Sequence, residues 1–209
     1  MATFYLVRHG ITQWVEDQIL HGITDIPLNE TGMRQAEETA KALKGCGAER
    51  LYSSPLQRCM QTAVIIGKAL NLDPIPMEGL REMDFGWLEG RPFRDHSTRN
   101  YGKWVQFLDH QAHRIVRTIS GEPIRKFRKR VLKDWNTIIE ENKEERAIVV
   151  GHSAVFNTIL IHHFGENFPN GKRYYTMNPG CVNEIRIEKE GEASLVRFND
   201  TSHLNGRKR

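Results

Sequence analysis

The sequence predicts an α/β fold, a three-layer sandwich with a largely parallel central sheet and helices on both faces. Short apolar segments that predict strands lie at residues 3–7, 50–53 and 146–150. Segments with apolar residues at helical spacing lie between them, at residues 29–44 and 124–139. Strands that alternate with helices are typical of folds in which helices cover a parallel sheet. The length of 209 residues fits a single domain that spans the whole chain.

Each helix is predicted from its apolar face and its boundary signals. The helix after the second strand has the clearest start, with Ser54 as the predicted N-cap, Pro55 at the first helical position and Gln57 completing a capping box. The apolar faces consist of Met33, Ala36, Ala40 and Leu43 in the first helix, Leu56, Met60, Ala63, Val64, Gly67 and Leu70 in the second, and Ile124, Phe127, Val131, Trp135 and Ile138 in the third.

Further elements complete the predicted sheet and its cover. A helix is expected from Ser153 to about Phe164, and one strand is expected around Ile75. Residues 182–188 and 193–198 predict a closing pair of strands, which lies antiparallel or at an edge.

Composition and charge exclude several classes of protein. The chain has 30 Lys and Arg against 26 Asp and Glu, a formal net charge of +4, and 39% of its residues are hydrophobic. These values exclude a fibrous or low-complexity chain. We expect no membrane partner, because no apolar run reaches the ~18 residues that span a bilayer. We also expect no signal peptide, because the first residues have no basic start and too short an apolar stretch. Three cysteines without motif spacing, Cys46, Cys59 and Cys181, favour a cytoplasmic location.

Basic side chains follow the predicted strands at the points where the strands end. Arg8 and His9 follow the first strand, His152 follows the strand at 146–150, and Arg58 lies in the first turns of the helix after the second strand. Ligands of open α/β sheets gather outside the carboxyl ends of the strands. The sequence therefore predicts that two histidines and two arginines converge at one edge of the sheet.

Such a cluster suits phosphoryl chemistry. Guanidinium groups match phosphate oxygens and stay charged, and their charge disfavours protonation of a neighbouring histidine. A neutral imidazole can accept a phosphoryl group covalently. The leaving oxygen then needs a proton, and the loop at residues 80–90 offers three carboxyl groups for this role: Glu82, Asp84 and Glu89.

Five ordered motifs carry a resemblance to a known family. The motifs are Leu6-Val7-Arg8-His9-Gly10-x-Thr12, Asp25-x-Pro27-Leu28-x-x-x-Gly32-x-x-Gln35-Ala36, Tyr52-Ser53-Ser54-Pro55-Leu56-x-Arg58-x-x-Gln61-Thr62-Ala63, Leu80-x-Glu82-x-x-Phe85-Gly86-x-x-Glu89-Gly90 and Val149-Val150-Gly151-His152-Ser153. With these motifs, the chain resembles the histidine phosphatase superfamily, of phosphoglycerate mutase-like fold, over residues 3 to 204. Residues 199–204 are also similar to endings seen in these enzymes.

The resemblance implies a role for each charged residue of the cluster. His9 is the implied nucleophile, which becomes phosphohistidine. Arg8, Arg58 and His152 are implied to bind the phosphoryl group and to stabilise its charge. Glu82 is implied to protonate the leaving oxygen and then to activate water, although Asp84 and Glu89 stay open as alternatives. The resemblance implies no cofactor and no metal.

Four other positions concern the substrate. His21 and Gly22 occupy the place where the family's loop contacts phosphate or substrate, so the resemblance makes them binding residues. Ile11 departs from the polar residue that many members carry, and Val15 departs from an Asn after Trp14 that can bind phosphate. These two departures leave the efficiency and the substrate open, but not the class of reaction.

The resulting hypothesis is a metal-independent phosphomonoesterase that acts on a small phosphorylated metabolite. Two alternatives within the family are a phosphoglycerate mutase and a sugar-bisphosphate phosphatase. The mutases are longer, with a larger insertion than the lid-like segment expected here at about 91–120. From another class, a catalytically weak basic binding protein stays open, since residues 91–133 hold 12 Lys and Arg against 3 acids. We expect no nucleic-acid partner, because no basic and aromatic stripe is present, and a homodimer stays open.

Overall fold

In the computed structural model of the protein, which describes residues 1–92, 121–165, 177–188 and 191–204, six strands form one sheet. Their order is β3-β2-β4-β1-β5-β6. The first four strands of that order run parallel, whereas β5 is antiparallel to β1 and β6 to β5. The strands are β1 (Ala2–Arg8), β2 (Arg50–Ser53), β3 (Pro74–Pro76), β4 (Arg146–Gly151), β5 (Val182–Ile187) and β6 (Ala193–Asp200).

Helices cover both faces of this sheet, so the predicted fold class is confirmed. In the described ranges, three short 3-10 turns lie at residues 78–80, 86–88 and 202–204. None of the helices in the described ranges has the length and apolar character needed to span a bilayer. The helices are α1 (Gln13–Glu16), α2 (Glu30–Ala42), α3 (Gln57–Leu70), α4 (Ile124–Glu141) and α5 (Ser153–Phe164).

The alternation of side chains along β1 divides the core into two clusters. Phe4 and Leu6 pack with Trp135 of α4 and the apolar side of α5. Tyr5 and Val7 point to the other face, where α2 and α3 pack. Burial of each large apolar side chain stabilises the fold by about 1.5–3 kcal/mol. The two clusters therefore fix β1 and β4 side by side in the middle of the sheet.

The predicted cap of α3 is wrong. The helix begins at Gln57, its N-cap residue is Leu56, and that cap makes no side-chain hydrogen bond. Instead, Asp25 accepts the backbone N–H of Gln57 through Oδ1 at 2.7 Å. Ser54 Oγ lies 2.8 Å from a ring nitrogen of His152 and accepts from Leu56 N at 3.4 Å, so this hydroxyl joins the start of α3 to the end of β4 instead of capping Gln57.

Two members of the predicted apolar faces are exposed. Met33 is 38% and Val64 is 51% accessible to solvent. Val64 is one residue away from the buried Ala63, and Met33 is one residue away from the buried Gly32. A step of one residue in a helix turns a side chain by about 100°. The predicted insertion at about 91–120 lies outside the described residues, apart from Arg91 and Pro92.

Candidate active site

His9 lies one residue beyond β1, where β1 and β4 end together. Its backbone N donates to Gly151 O at 3.1 Å, and its ring Nδ1 lies 2.7 Å from Gly10 O. Because a carbonyl oxygen only accepts, Nδ1 carries the hydrogen and Nε2 keeps its lone pair. Burial, followed by the charges of Arg58 and Arg8, holds the pKa of His9 well below its usual value. The ring is therefore neutral near pH 7, which is the nucleophilic form of histidine.

His152 follows β4 and faces His9, with 5.2 Å between the two ring centroids. Its Nε2 lies 2.8 Å from Ser54 Oγ and 3.4 Å from Cys59 Sγ. Burial, and then the charge of Arg58, lowers the pKa of His152 well below its usual value. From the sequence, Ser54 is predicted only as an N-cap, and no local signal shows that its hydroxyl contacts an imidazole.

Arg58, which is buried, and Arg8, which is partly buried, bring positive charge to the two imidazoles. Arg58 Nη1 donates to Thr24 O at 3.0 Å and Nη2 to Gly22 O at 2.6 Å, while Arg8 Nη1 donates to Met177 O. Within the described residues, the Nε atoms of both arginines are buried without a hydrogen-bond partner. Leaving a buried donor unpaired costs about 1–3 kcal/mol, and more for a charged group. An anion between these groups would satisfy them.

The loop after α1 places His21 and Gly22 beside this cluster. The His21 ring centroid lies 6.1 Å from that of His9 and 6.5 Å from that of Trp14. Burial, and then the charges of Arg58 and Arg8, lowers the pKa of His21 to about 4. Gly22 holds Arg58 through its carbonyl, and a Cβ at this position would lie 2.1 Å from Met83 O, so the close approach of the two loops requires glycine here.

Glu82 is a buried carboxyl group close to the N-terminus of α5. Its Oε1 accepts from Met83 N at 2.9 Å, and Oε2 lies 3.5 Å from Ala154 N. Only 7% of the residue is accessible to solvent. Burial raises the pKa of Glu82 against the opposing effects of Met83 N–H and Arg58. A carboxyl group with a raised pKa is suited to donate a proton near neutral pH.

Glu89, one of the two alternatives to Glu82, is engaged by backbone groups of two loops. Its Oε1 accepts from Ile23 N at 3.1 Å and from Phe85 N at 3.0 Å, and Oε2 accepts from the backbone N and the hydroxyl of Thr24. Burial alone would raise the pKa of Glu89, but these hydrogen bonds lower it. Asp84 Oδ1 accepts from Gly86 N at 2.7 Å within its own turn. Both carboxylates are therefore occupied with holding backbone.

Several polar residues of the sequence motifs support the site from behind. Gln35 Oε1 accepts from Ile11 N at 2.8 Å, and Thr62 Oγ1 lies 3.3 Å from Gly10 N. Gly10 and Gly32 pack backbone to backbone, since a Cβ on Gly10 would lie 2.4 Å from Gly32 O. These contacts fix the chain directly after His9. The sequence showed the residues as parts of a motif, but not these partners.

The two departures from the family pattern also have defined positions. The backbone of Ile11 is hydrogen-bonded on both sides, because its carbonyl also accepts from Asn29 N at 3.2 Å. Val15 lies in α1, where Thr12 is the N-cap and its hydroxyl accepts from Val15 N at 3.3 Å. The residues around both positions thus build the turn between β1 and α2.

No group of three or more His, Cys, Asp or Glu side chains is arranged to hold a metal ion within the residues that the structure describes. All three cysteines are free thiols.

The chain is similar to known proteins over nearly its whole length. The chain is 29% identical to an uncharacterized phosphatase, PhoE, of Bacillus subtilis over 99% of this chain and 98% of that protein. It is 32% identical to a probable phosphoglycerate mutase, GpmB, of Proteus mirabilis over 93% and 94% of the two chains. Among solved structures, a mutant of phosphoserine phosphatase from Entamoeba histolytica in complex with phosphoserine has a TM-score of 0.76 and 28% identity, covering 98% of this chain and 100% of that chain.

A family model of the histidine phosphatase superfamily (branch 1) matches residues 4–201. This match covers nearly the whole chain and includes every residue of the cluster described above. The protein therefore belongs to the histidine phosphatase superfamily.

Proposed function

We propose that the protein is a phosphomonoesterase that hydrolyses a small phosphorylated metabolite through a phosphohistidine on His9. The observation that carries this proposal is the state of His9 and its surroundings. The ring is neutral, its Nε2 keeps a lone pair, and two buried arginine Nε–H groups nearby have no partner within the described residues. A nucleophile beside unsatisfied cationic donors is suited to a dianionic phosphate.

The first half of the reaction transfers the phosphoryl group. Nε2 of His9 attacks phosphorus, the N–P bond forms, and the bond from phosphorus to the ester oxygen breaks. Arg8, Arg58 and His152 stabilise the charge on the three equatorial oxygens. Glu82 gives its proton to the leaving oxygen, so the product leaves as an alcohol rather than as an alkoxide.

The second half restores the enzyme. The Glu82 carboxylate takes a proton from a water molecule, and the oxygen of that water attacks phosphorus. The N–P bond breaks, inorganic phosphate forms, and His9 returns to its neutral state. His21 faces the same space and is proposed to contact the substrate, while Gly22 holds Arg58 in place.

The named relatives support a small phosphorylated substrate. A 28% identical structure contains phosphoserine, and a 27% identical structure of phosphoserine phosphatase, also from Entamoeba histolytica, contains 3-phosphoglyceric acid. Both ligands are short phosphomonoesters that carry a carboxylate. We propose a substrate of this size and charge.

A mutase activity is the second candidate, because a relative at 32% identity is named a probable phosphoglycerate mutase. The two functions differ in what accepts the phosphoryl group from His9: water in a phosphatase, and a second hydroxyl of the substrate in a mutase. A panel of phosphometabolites that includes 3-phosphoglycerate separates them, with phosphate release and isomerised product assayed separately.

The decisive experiment follows the phosphoenzyme. We expect acid-labile, alkali-stable label on the wild-type protein after mixing with a phosphorylated substrate, no label on His9→Ala, and hydrolysis that persists in EDTA. Label that remains on the His9→Ala variant would assign the nucleophile to another residue. Absence of both label and phosphate release over the panel would favour the catalytically weak binding protein.

A further inference from the structure

Arg130, in the middle of α4, is hydrogen-bonded to the loop that carries Glu82. Its Nη1 donates to Gly79 O at 2.9 Å and to Arg81 O at 2.6 Å, and its Nη2 donates to the carbonyl of Glu82 itself at 2.8 Å. One planar guanidinium thus holds three carbonyl groups of a four-residue segment. Arg130 is 48 residues away from Glu82 in the sequence, so no local motif connects them.

Glu122 binds the same guanidinium from the other side. Its Oε1 accepts from Arg130 Nε at 2.8 Å and its Oε2 from Nη2 at 2.7 Å, a bidentate pair with fixed relative orientation. The two side chains are 26% and 17% accessible to solvent. The carboxylate neutralises the charge of Arg130, whereas Arg58 is held by neutral carbonyls. Arg130 is therefore arranged to fix a geometry and not to bind an anion.

Two more contacts bracket the loop. Asp134, one turn further along α4, accepts from Gly79 N through Oδ2 at 2.6 Å. Glu122 N donates to Asp84 O at 2.9 Å, on the far side of Glu82. The backbone is therefore fixed before, at and after Glu82, and the carboxyl group emerges from a segment that α4 holds in place.

We propose that Arg130 is a positioning residue for the carboxyl group of Glu82, and that Glu122 orients the Arg130 guanidinium for this task. The inference rests on the proposed function, because it concerns the acid and base assigned there to Glu82. A displacement of about 1 Å in a catalytic group reduces the rate by up to ~100-fold. A loosened loop also admits water to Glu82, which weakens the burial that raises its pKa.

The test compares two substrates with opposite needs for a proton donor. An alkyl phosphate has a poor leaving group and needs the acid, whereas 2,4-dinitrophenyl phosphate does not. Rapid-quench measurement of the first turnover gives the rate of phosphoenzyme formation for each. We expect Arg130→Lys to slow the alkyl phosphate about 10-fold and the dinitrophenyl ester less than about 2-fold, and to move the alkaline limb of the alkyl phosphate profile to lower pH.

Matched variants control for general damage. Arg125→Lys makes the same exchange at an exposed position of the same helix and should behave as wild type. Glu122→Gln keeps the three carbonyl contacts of Arg130 and should slow the alkyl phosphate about 3-fold, with the same selectivity between substrates. If Arg130→Lys does not fold, which thermal unfolding shows, Glu122→Gln decides the matter.

The outcomes separate the two proposals. The deciding variant is Arg130→Lys if it folds and Glu122→Gln otherwise. If that variant reduces the rate of phosphoenzyme formation equally for both substrates, Arg130 has a merely structural role and the inference is overturned. If the deciding variant has wild-type rates while Glu82→Gln turns over the alkyl phosphate slowly, the positioning role of Arg130 is overturned. The proposed function of Glu82 then stays intact. Wild-type rates in Glu82→Gln would instead remove the proposed acid, and the inference with it.

Discussion

The parallel strands end at one side of the sheet, the carboxyl edge, and begin at the other, the amino edge. Arginines at these two edges differ in whether a carboxylate lies beside them. At the carboxyl edge, Arg58 and Arg8 donate to backbone carbonyls, and their Nε atoms have no partner within the described residues. At the amino edge, Arg50 Nη1 also donates to a carbonyl, Glu141 O at 2.9 Å, but its guanidinium lies 3.7 Å from a carboxylate oxygen of Glu141 and 3.8 Å from one of Glu145. A carbonyl fixes the direction of a guanidinium and leaves its net charge uncompensated, whereas a carboxylate cancels it.

This difference distinguishes a binding site from a structural contact. Buried charge without a counter-charge destabilises a fold unless something else compensates for it. At the carboxyl edge, Arg58 is buried without an ion pair where His9 and His152 meet. At the amino edge, Arg50 is half-exposed and has carboxylates beside it. The comparison therefore predicts that conservative changes at the two edges affect different properties, activity at one and stability at the other.

Exchange of arginine for lysine at each edge gives the largest expected contrast. Arg58→Lys keeps the charge, but a single ammonium cannot bond two carbonyls and an anion in the planar arrangement of a guanidinium. We expect kcat/KM for phenyl phosphate to fall about 1000-fold. Arg50→Lys, at a half-exposed ion pair, should change kcat/KM less than 2-fold. Similar losses in the two variants would remove the distinction between the edges.

The next largest effect concerns the carboxyl group of Glu82. We expect Glu82→Gln to reduce turnover of a poor leaving group by about 100-fold. Its raised pKa keeps the carboxyl group protonated to higher pH than in a free glutamate, so wild-type activity on such substrates should fall as the pH rises through that value, and the variant should lose this limb. Asp84→Asn is the control. A large loss there instead would move the acid role to Asp84.

The position of the cluster follows from the sequence because it depends on a rule of topology. Arg8, His9 and His152 follow parallel strands directly, and adjacent parallel strands end at the same edge. The pairing of Arg8 with Gly151 in neighbouring strands brings the histidines together without further information. The fold class can also be predicted from the sequence, because the hydrophobic periods of strands and helices are local properties of the chain.

The supporting contacts were not predicted because they join residues far apart in the sequence. Asp25 caps α3 across 32 residues, and Arg130 holds Glu82 across 48. Neither contact alters the hydrophobic period of the segments that it joins, so the sequence shows no sign of it. The local pattern Ser54-Pro55 therefore predicted the wrong N-cap for α3. The role of Glu89 as a loop anchor stayed open in the same way, since a carboxylate in a motif carries no sign of its partners.

A substitution of Glu89 tests how much a carboxylate at the carboxyl edge contributes to the stability of the fold. Glu89→Gln replaces one of the two acceptor oxygens by an NH2 group, which cannot accept from the loop N–H groups, and we expect a loss of about 1–2 kcal/mol in the free energy of unfolding at pH 7. The folded pKa of Glu89 lies below its ordinary value of 4.5, so this contribution is present above pH 4.5 and is lost as the pH falls through the folded pKa. Urea unfolding should therefore show the difference between variant and wild type narrowing in acid. A constant difference over this range would contradict a role for the carboxylate charge.

The smallest expected effect lies at the amino edge. The hydroxyl of Tyr52 donates to Glu141 Oε2 at 2.7 Å and accepts from Asn142 Nδ2 at 2.9 Å, and the residue is fully buried. Tyr52→Phe should lower the free energy of unfolding by about 1 kcal/mol, because Asn142 Nδ2 keeps its second bond to Ile138 O. We expect kcat/KM to stay within 2-fold of wild type, since none of these hydrogen bonds reaches His9 or His152. A larger fall in kcat/KM, measured where the variant is still fully folded, would show that the two edges are coupled through the strands between them.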